Sequence, residues 1–166
     1  MDIENVYLEY YRNVHNYIAF RINNRHDVEE LASLTFEKAL AAWGAYDPAR
    51  AVEGWLIGIA KNVVTDYLRA SAKRTLAPLE SVLHFKSPER QPCEAVMANE
   101  ENRALLRAMA RLRERERQIL SMKFATGLKS GEIAEILGMR EAAVRTAVHR
   151  SVKRLREILE VENEGL

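Results

Sequence analysis

At 166 residues and 48% hydrophobic content the chain is long enough for one or two small domains with packed cores; no run of about 18 apolar residues is present to cross a bilayer. The acidic, aromatic N-terminus MDIENVYLEYY is unlike a secretory signal, and a single cysteine, Cys93, excludes an intramolecular disulfide framework or a cysteine-based zinc cluster, so a cytoplasmic protein is expected. The net charge of +1 argues by itself against nucleic acid, but basic and acidic residues number 9 and 10 over 1–75, 2 and 3 over 76–98, and 14 and 11 over 99–166, with 6 against 1 inside 140–156; local charge, rather than the total, steers binding to phosphate.

Seven glycines and four prolines suit a mostly helical chain. A first helix is expected over about 2–22, with Val6, Tyr10, Val14, Tyr17 and Ile18 inward and Asn23-Asn24 ending it. Asp27, with Glu30 three residues on, has the form of a capping box and opens a second helix. Val28, Leu31, Thr35, Ala39 and Trp43 form its stripe, Phe36 lies beside it, and Gly44 closes it. Tyr46-Asp47-Pro48-Ala49-Arg50 reads as a turn, because Pro48 fixes its own φ and biases Asp47 away from helix. A third helix is expected over about 53–70. It carries two apolar rows (Trp55, Ile59, Val63, Tyr67 and Leu56, Ala60, Val64, Leu68) and so should be buried on two sides.

The period fades over 71–98, which Pro78, Pro88 and Pro92 punctuate. So long a loop is uncommon inside one compact domain, so this stretch is read as a tether. Leu76, Leu79, Val82, Leu83 and Phe85 give it enough apolar content to pack, on this chain or on a partner. The expected division is 1–74, a linker over 75–98, and 99–166. In the last part Leu105, Leu106, Met109 and Leu112 line one helix, and Ile119, Leu120, Met122 and Phe124 face inward from another over 115–125, broken by Gly127.

Residues 130–156, SGEIAEILGMREAAVRTAVHRSVKRLR, then read as a helix-turn-helix. Ala134 is small enough for close helix approach, Gly138 can take the left-handed conformation that ends the first helix, and Val144 is the first inward residue of the second. Val148, Val152, Leu155 and Leu159 continue the stripe, while Arg140, Arg145, Thr146, His149, Arg150, Lys153, Arg154 and Arg156 lie on the other faces, opposed by Glu141. Such a helix either enters the major groove, its N-terminal half meeting base edges, or is a basic solvated face. The fold class is therefore all-α: two small helical domains on a proline-containing linker.

The segment DVEELASLTFEKALAAWGAYDPARAVEGWLIGIAKNVVTDYLR, residues 27–69, resembles region 2 of a bacterial sigma factor of the extracytoplasmic-function (ECF) group. The segment LRERERQILSMKFATGLKSGEIAEILGMREAAVRTAVHRSVKRLRE, residues 112–157, resembles region 4 of the same family. The resemblance implies a promoter-recognition subunit of RNA polymerase, region 2 reading the −10 element and holding a melted strand, region 4 reading the −35 element. It implies that Asp27, Glu29, Glu30, Leu31, Leu34, Glu37 and Lys38 dock on the clamp coiled coil of the largest polymerase subunit. It implies −10 contacts from Tyr46, Asp47, Arg50, Lys61, Asn62, Arg69, Lys73 and Arg74, and −35 contacts from Arg140, Glu141, Arg145, Thr146, His149, Arg150 and Lys153. Core RNA polymerase, promoter DNA and an anti-sigma factor are the implied partners.

Unpaired bases are held by stacking and by amides that read their edges, which suits Asn62 for a base and Lys61 for a phosphate. Arg69, Lys73 and Arg74 suit duplex backbone or, equally, are C-terminal cations that complement a helix dipole. Trp55, Tyr67 and Trp43 lie on apolar stripes and so read first as core. The acidic face of the second helix is either solvated or a docking surface. Two departures from the family stand out: Lys129 occupies the usual serine N-cap, so that Ser130 would cap one residue later, and Thr146-Ala147 replaces Ser-Arg on the recognition helix. The histidines at 15, 26, 84 and 149 include no pair at metal-ligand spacing, and no phosphate-cradling glycine loop or nucleophile–base pair is found, so no metal, cofactor or enzymatic activity is expected. His15 and His84 read as structural. The competing function is a free-standing helix-turn-helix regulator acting without polymerase.

Overall fold

The computed structural model describes residues 1–75 and 100–165, and among these it contains seven α-helices and no strand. The apolar residues named within 76–99, together with Cys93 and His84, lie outside the described residues.

Helix α1 (Ile3–Ala19) is capped by Asp2, whose Oδ1 accepts the Asn5 backbone N–H at 2.9 Å. Helix α2 (Arg25–Ala42) starts two residues earlier than the Asp27–Glu30 pattern implies. Asn24 is its cap, with Oδ1 accepting the Asp27 N–H at 3.2 Å. The pair read as ending the first helix thus includes the residue that starts the second. Asp27 is left with another partner: Tyr67 donates its hydroxyl to Asp27 Oδ2 at 2.5 Å. A short 3-10 turn, Trp43–Ala45, follows α2; Gly44 lies inside it without a positive φ.

Helix α3 runs Val52–Thr75, five residues beyond the expected end. Nothing in Ser71-Ala72-Lys73-Arg74-Thr75 breaks a helix, and Lys73 and Arg74 complement the dipole of its last turn. Its two apolar rows are covered from different sides. Leu56, Ile57, Ala60, Val63 and Val64 are buried, while Trp55, Ile59, Tyr67 and Leu68 are half-buried at the margin. α1 and α2 supply the facing residues Val6, Val14, Tyr17, Ile18, Val28, Ala32, Phe36 and Ala39.

Helices α4 (Glu100–Ala110), α5 (Glu114–Ala125), α6 (Ser130–Leu137) and α7 (Glu141–Glu164) form the C-terminal half. Ala108, Met109, Leu112, Leu120 and Leu155 make a second apolar cluster. Phe124, expected inward, is 59% exposed in the last turn of α5. It lies about 140° around the helix from Ile119, off the buried face.

The first core does not stop at α3. Met122, Ala125, Leu128, Ile133, Ala134 and Val144 belong to it, and half-buried Phe20 touches both clusters. The two halves therefore share one apolar interior, with α5 against α1 and α6 against α3.

Candidate nucleic-acid interface

The turn between α6 and α7 is built from the residues that sequence spacing singles out. Gly138 has φ 62° and ψ 36°, the single positive φ among the described residues. Met139 N–H reaches back to the Ala134 carbonyl at 2.9 Å, which closes the α6 C-terminus. Ala134 and Val144 are buried where the two helices cross. The start of α6 resolves the serine question: Lys129, not Ser130, holds the cap position, and its backbone N–H is satisfied by Glu132 Oε2 at 2.7 Å. Glu132 supplies the glutamate half of a capping box; the half that a serine hydroxyl would supply, by accepting the Glu132 N–H, has no acceptor on the lysine side chain.

On α7, Arg140, Glu141, Arg145, Thr146, His149, Arg150 and Lys153 are all exposed. Arg145 is tied to Glu141 by an exposed pair at 3.3 Å, an interaction worth little in water and easily exchanged for a phosphate. Arg154, by contrast, turns towards Glu116 of α5 at 3.7 Å. Val144, Leu155 and Ser151 are buried on the opposite face. The result is a helix seated by its apolar stripe with a basic face turned to solvent.

The front half offers a different surface. The Asp47 carboxylate accepts the Ala49 N–H at 2.9 Å, and Arg50 N–H bonds the Asp47 carbonyl at 3.0 Å, so Asp47 builds the turn that Pro48 favours. Tyr46 is half-buried. It stacks on Trp43 at 5.1 Å with planes 9° apart, and meets Trp55 at 4.9 Å; its hydroxyl donates to the Arg50 carbonyl. Trp43 and Trp55 are thus neither core nor free platforms but half-exposed members of a three-ring cluster beside the turn. Asn62, Arg69 and Lys73, spaced by seven and four residues, share one exposed stripe of α3, with Asp66 among them, and Arg74 is exposed beside it. Lys61 sits apart: it is half-buried and donates to the Ile136 carbonyl of α6 at 3.5 Å.

Along α2, Glu29, Glu30, Glu37 and Lys38 are exposed, Glu29 pairing with Arg25 at 3.3 Å and Glu30 with His26 at 3.6 Å. Leu34 is 39% exposed, but Leu31 is 7% exposed and packs into the core. Leu31 sits on the inner stripe with Val28 and Thr35, and its side chain cannot contribute to a docking surface as the sequence reading has it. Tyr67 holds its proton above the usual tyrosine range, through burial first and then its bond to Asp27. His15 is half-buried against Tyr11, and burial lowers its pKa. Among the described residues no group of three or more metal-ligating side chains is assembled, and no helix is long and apolar enough to cross a membrane.

Three polar residues escape a reading by motif: Arg21, Glu53 and Glu114, each of which ties the front half to the back. Arg21 had a signal, a lone charge inside the apolar run Ile18-Ala19-Phe20-Arg21-Ile22.

Comparison with known proteins matches residues 6–74 to Sigma-70 region 2 and residues 102–155 to Sigma-70, region 4. The chain is 32% identical over 155 residues to the ECF RNA polymerase sigma factor BldN of Streptomyces coelicolor, covering 93% of this chain but 59% of that relative's length. It is 31% identical over 140 residues to the ECF RNA polymerase sigma factor ShbA of Streptomyces griseus, covering 82% of this chain and 73% of the relative. In fold it resembles the sigma factor RpoE solved with the anti-sigma factor NepR from Bartonella quintana, with a TM-score of 0.78 at 19% identity, covering 95% of this chain and 96% of the other.

Proposed function

Because the chain belongs to the extracytoplasmic-function group of the sigma-70 family, we propose that it binds core RNA polymerase in the cytoplasm and directs it to a specific set of promoters, as a regulatory rather than catalytic subunit. The observation that carries this reading is the succession on one chain of the two sigma regions, the first bearing an acidic helix and the second an exposed basic recognition helix.

Each surface has a physical task. Glu29, Glu30, Leu34, Glu37 and Lys38 form the exposed face of α2 for the clamp coiled coil of the largest polymerase subunit, with Leu34 as apolar anchor among charges. The basic face of α7 enters the major groove of the −35 element; Arg140, Arg145, Thr146, His149, Arg150 and Lys153 meet phosphates and base edges there, and Glu141 meets base amino groups. The stripe Asn62, Arg69, Lys73 with Arg74 follows the −10 strand. The turn 46–50, held rigid by the Tyr46 stack and the Asp47 bonds, stands at the start of that stripe and presents Arg50. A partner that holds the chain inactive, of the kind found with RpoE, is part of the same proposal.

Run-off transcription with purified core polymerase over a promoter library tests it. Starts at defined sites that depend on the chain are expected; output equal to core alone on every template overturns the reading. The competing regulator would instead bind a two-fold duplex site tightly without polymerase, which a mobility assay on the same library detects.

A further inference from the structure

Helix α3 outruns the core that seats it. Among the described residues, Tyr67 and Leu68 are the last of α3 packed on the first apolar cluster, and Arg69, Ala70, Ala72, Lys73 and Arg74 beyond them are exposed. A helix end with no apolar face to bury is marginal in water and frays, yet this one carries three of the cations proposed for −10 DNA. One group of side chains reaches back from it. Tyr67 donates its hydroxyl to Asp27 Oδ2 at 2.5 Å, joining residues 40 positions apart. Ser71, one turn on, offers its own hydroxyl to the Tyr67 oxygen, and the charge of Arg74, a further turn on, is felt there. Tyr67, Ser71 and Arg74 are spaced by four and three residues, so they follow one stripe of the helix towards its end. Asp27 stands in the first turn of α2, and Glu29 and Glu30 of the proposed docking face follow it directly.

We propose that Tyr67 is a positioning residue for promoter recognition: with Ser71 it moors the overhanging basic end of α3 to Asp27, and so sets Lys73 and Arg74 in fixed relation to the polymerase-docking face of α2. What that end touches rests on the sigma-factor reading; the mooring itself stands on the contacts. The chemistry suits a lasting tie. The helix dipole favours a carboxylate in the first turn of α2, and Tyr67 keeps its proton, so acceptor and donor are both present at neutral pH. Asp27 thus acts from within the fold, half-buried behind the docking face, while Glu29, Glu30 and Glu37 are exposed on it.

The test uses the full chain in complex with core polymerase, on a promoter taken from the run-off library. Tyr67→Phe keeps the ring and removes the hydroxyl. Promoter affinity of the complex is measured against salt, since each phosphate neutralised adds about 0.9 to the steepness of log K against log salt. Tyr67→Phe should make the slope shallower by about 1–2, the share of two cations, with binding of the chain to core polymerase unchanged. A general loss of fold would lower affinity at every salt alike and leave the slope as it was. Lys73→Ala with Arg74→Ala should flatten the slope as far, and should add little in the Tyr67→Phe background, because both changes remove one interaction. Asp27→Ala should copy Tyr67→Phe, and Asp27→Asn, whose amide oxygen still accepts, should restore the wild-type slope. An unchanged slope in Tyr67→Phe, full additivity with the lysine and arginine changes, or loss of core binding overturns the proposal. Amide exchange in the free chain reads the mooring without polymerase: residues 71–74 should exchange faster in Tyr67→Phe while Val63 and Val64 keep their protection. Equal exchange in the two chains overturns the mooring. A wild-type chain that adds nothing to core polymerase on any template refutes the sigma-factor reading instead, and amide exchange then decides the mooring by itself.

Discussion

The contact residues proposed on α7 and those proposed on α2 and α3 differ in how much of the fold depends on them. On α7 the apolar stripe seats the helix and the basic residues hang from it with a single exposed ion pair between them. Along α2 and α3 the same kinds of residue have internal work. Asp27 accepts from Tyr67, Tyr46 is clamped between Trp43 and Trp55, Asp47 closes its own turn, and Lys61 reaches α6. Recognition in the back half can thus vary without cost to stability. In the front half recognition and folding share side chains, and a change to one disturbs the other.

Substitutions can break or sharpen this contrast. The largest expected effect is Leu56→Ala, at a fully buried position where the front core and α3 meet. It should cost about 2–5 kcal/mol, read as a fall in Tm, against no measurable change for Thr146→Ala on the exposed face of α7. Arg145→Ala should weaken −35 duplex binding by about 1–3 kcal/mol if it contacts a base, with Tm unchanged; a drop in Tm instead would abolish the distinction. Gly138→Ala meets no steric obstacle, so its cost is the left-handed backbone alone, about 1–2 kcal/mol, visible in denaturant unfolding. Asn62→Ala, exposed on α3, should reduce promoter opening, measured by permanganate reactivity of unpaired thymines, while polymerase binding is retained. The smallest effect is in pH. The folded His15 has a lowered pKa because of its burial, so the unfolded chain binds a proton more readily. Stability should therefore fall as pH drops below about 6.5 and through the folded value, and His15→Asn should flatten that slope.

Much of this was legible from spacing. The inner stripes of α1 and α3, the Ala134–Gly138–Val144 turn and the exposed basic face follow from local periodicity, which the chain states directly. The discrepancies have one cause. Asn24 rather than Asp27 caps α2, Leu31 faces the core, Phe124 faces solvent, and α3 runs on to Thr75. Each depends on which neighbour covers a helix at a given angle or on where a chain fails to break, and adjacent residues do not record that. The three-ring cluster and the Lys61–Ile136 bond join residues 12 and 75 positions apart, and no motif announces them.

Phe20, lodged between both apolar clusters, has a practical consequence. A protease that severed the backbone anywhere in 76–99 would remove the covalent link but not the adhesion of the two pieces. They should co-elute after cleavage and come apart on dilution, since the contacts among the described residues would remain while the effective concentration that a covalent link supplies would be lost. Expressed alone, the front piece would bare the apolar strip that Leu128 and Ile133 now cover, and its solubility would suffer for it.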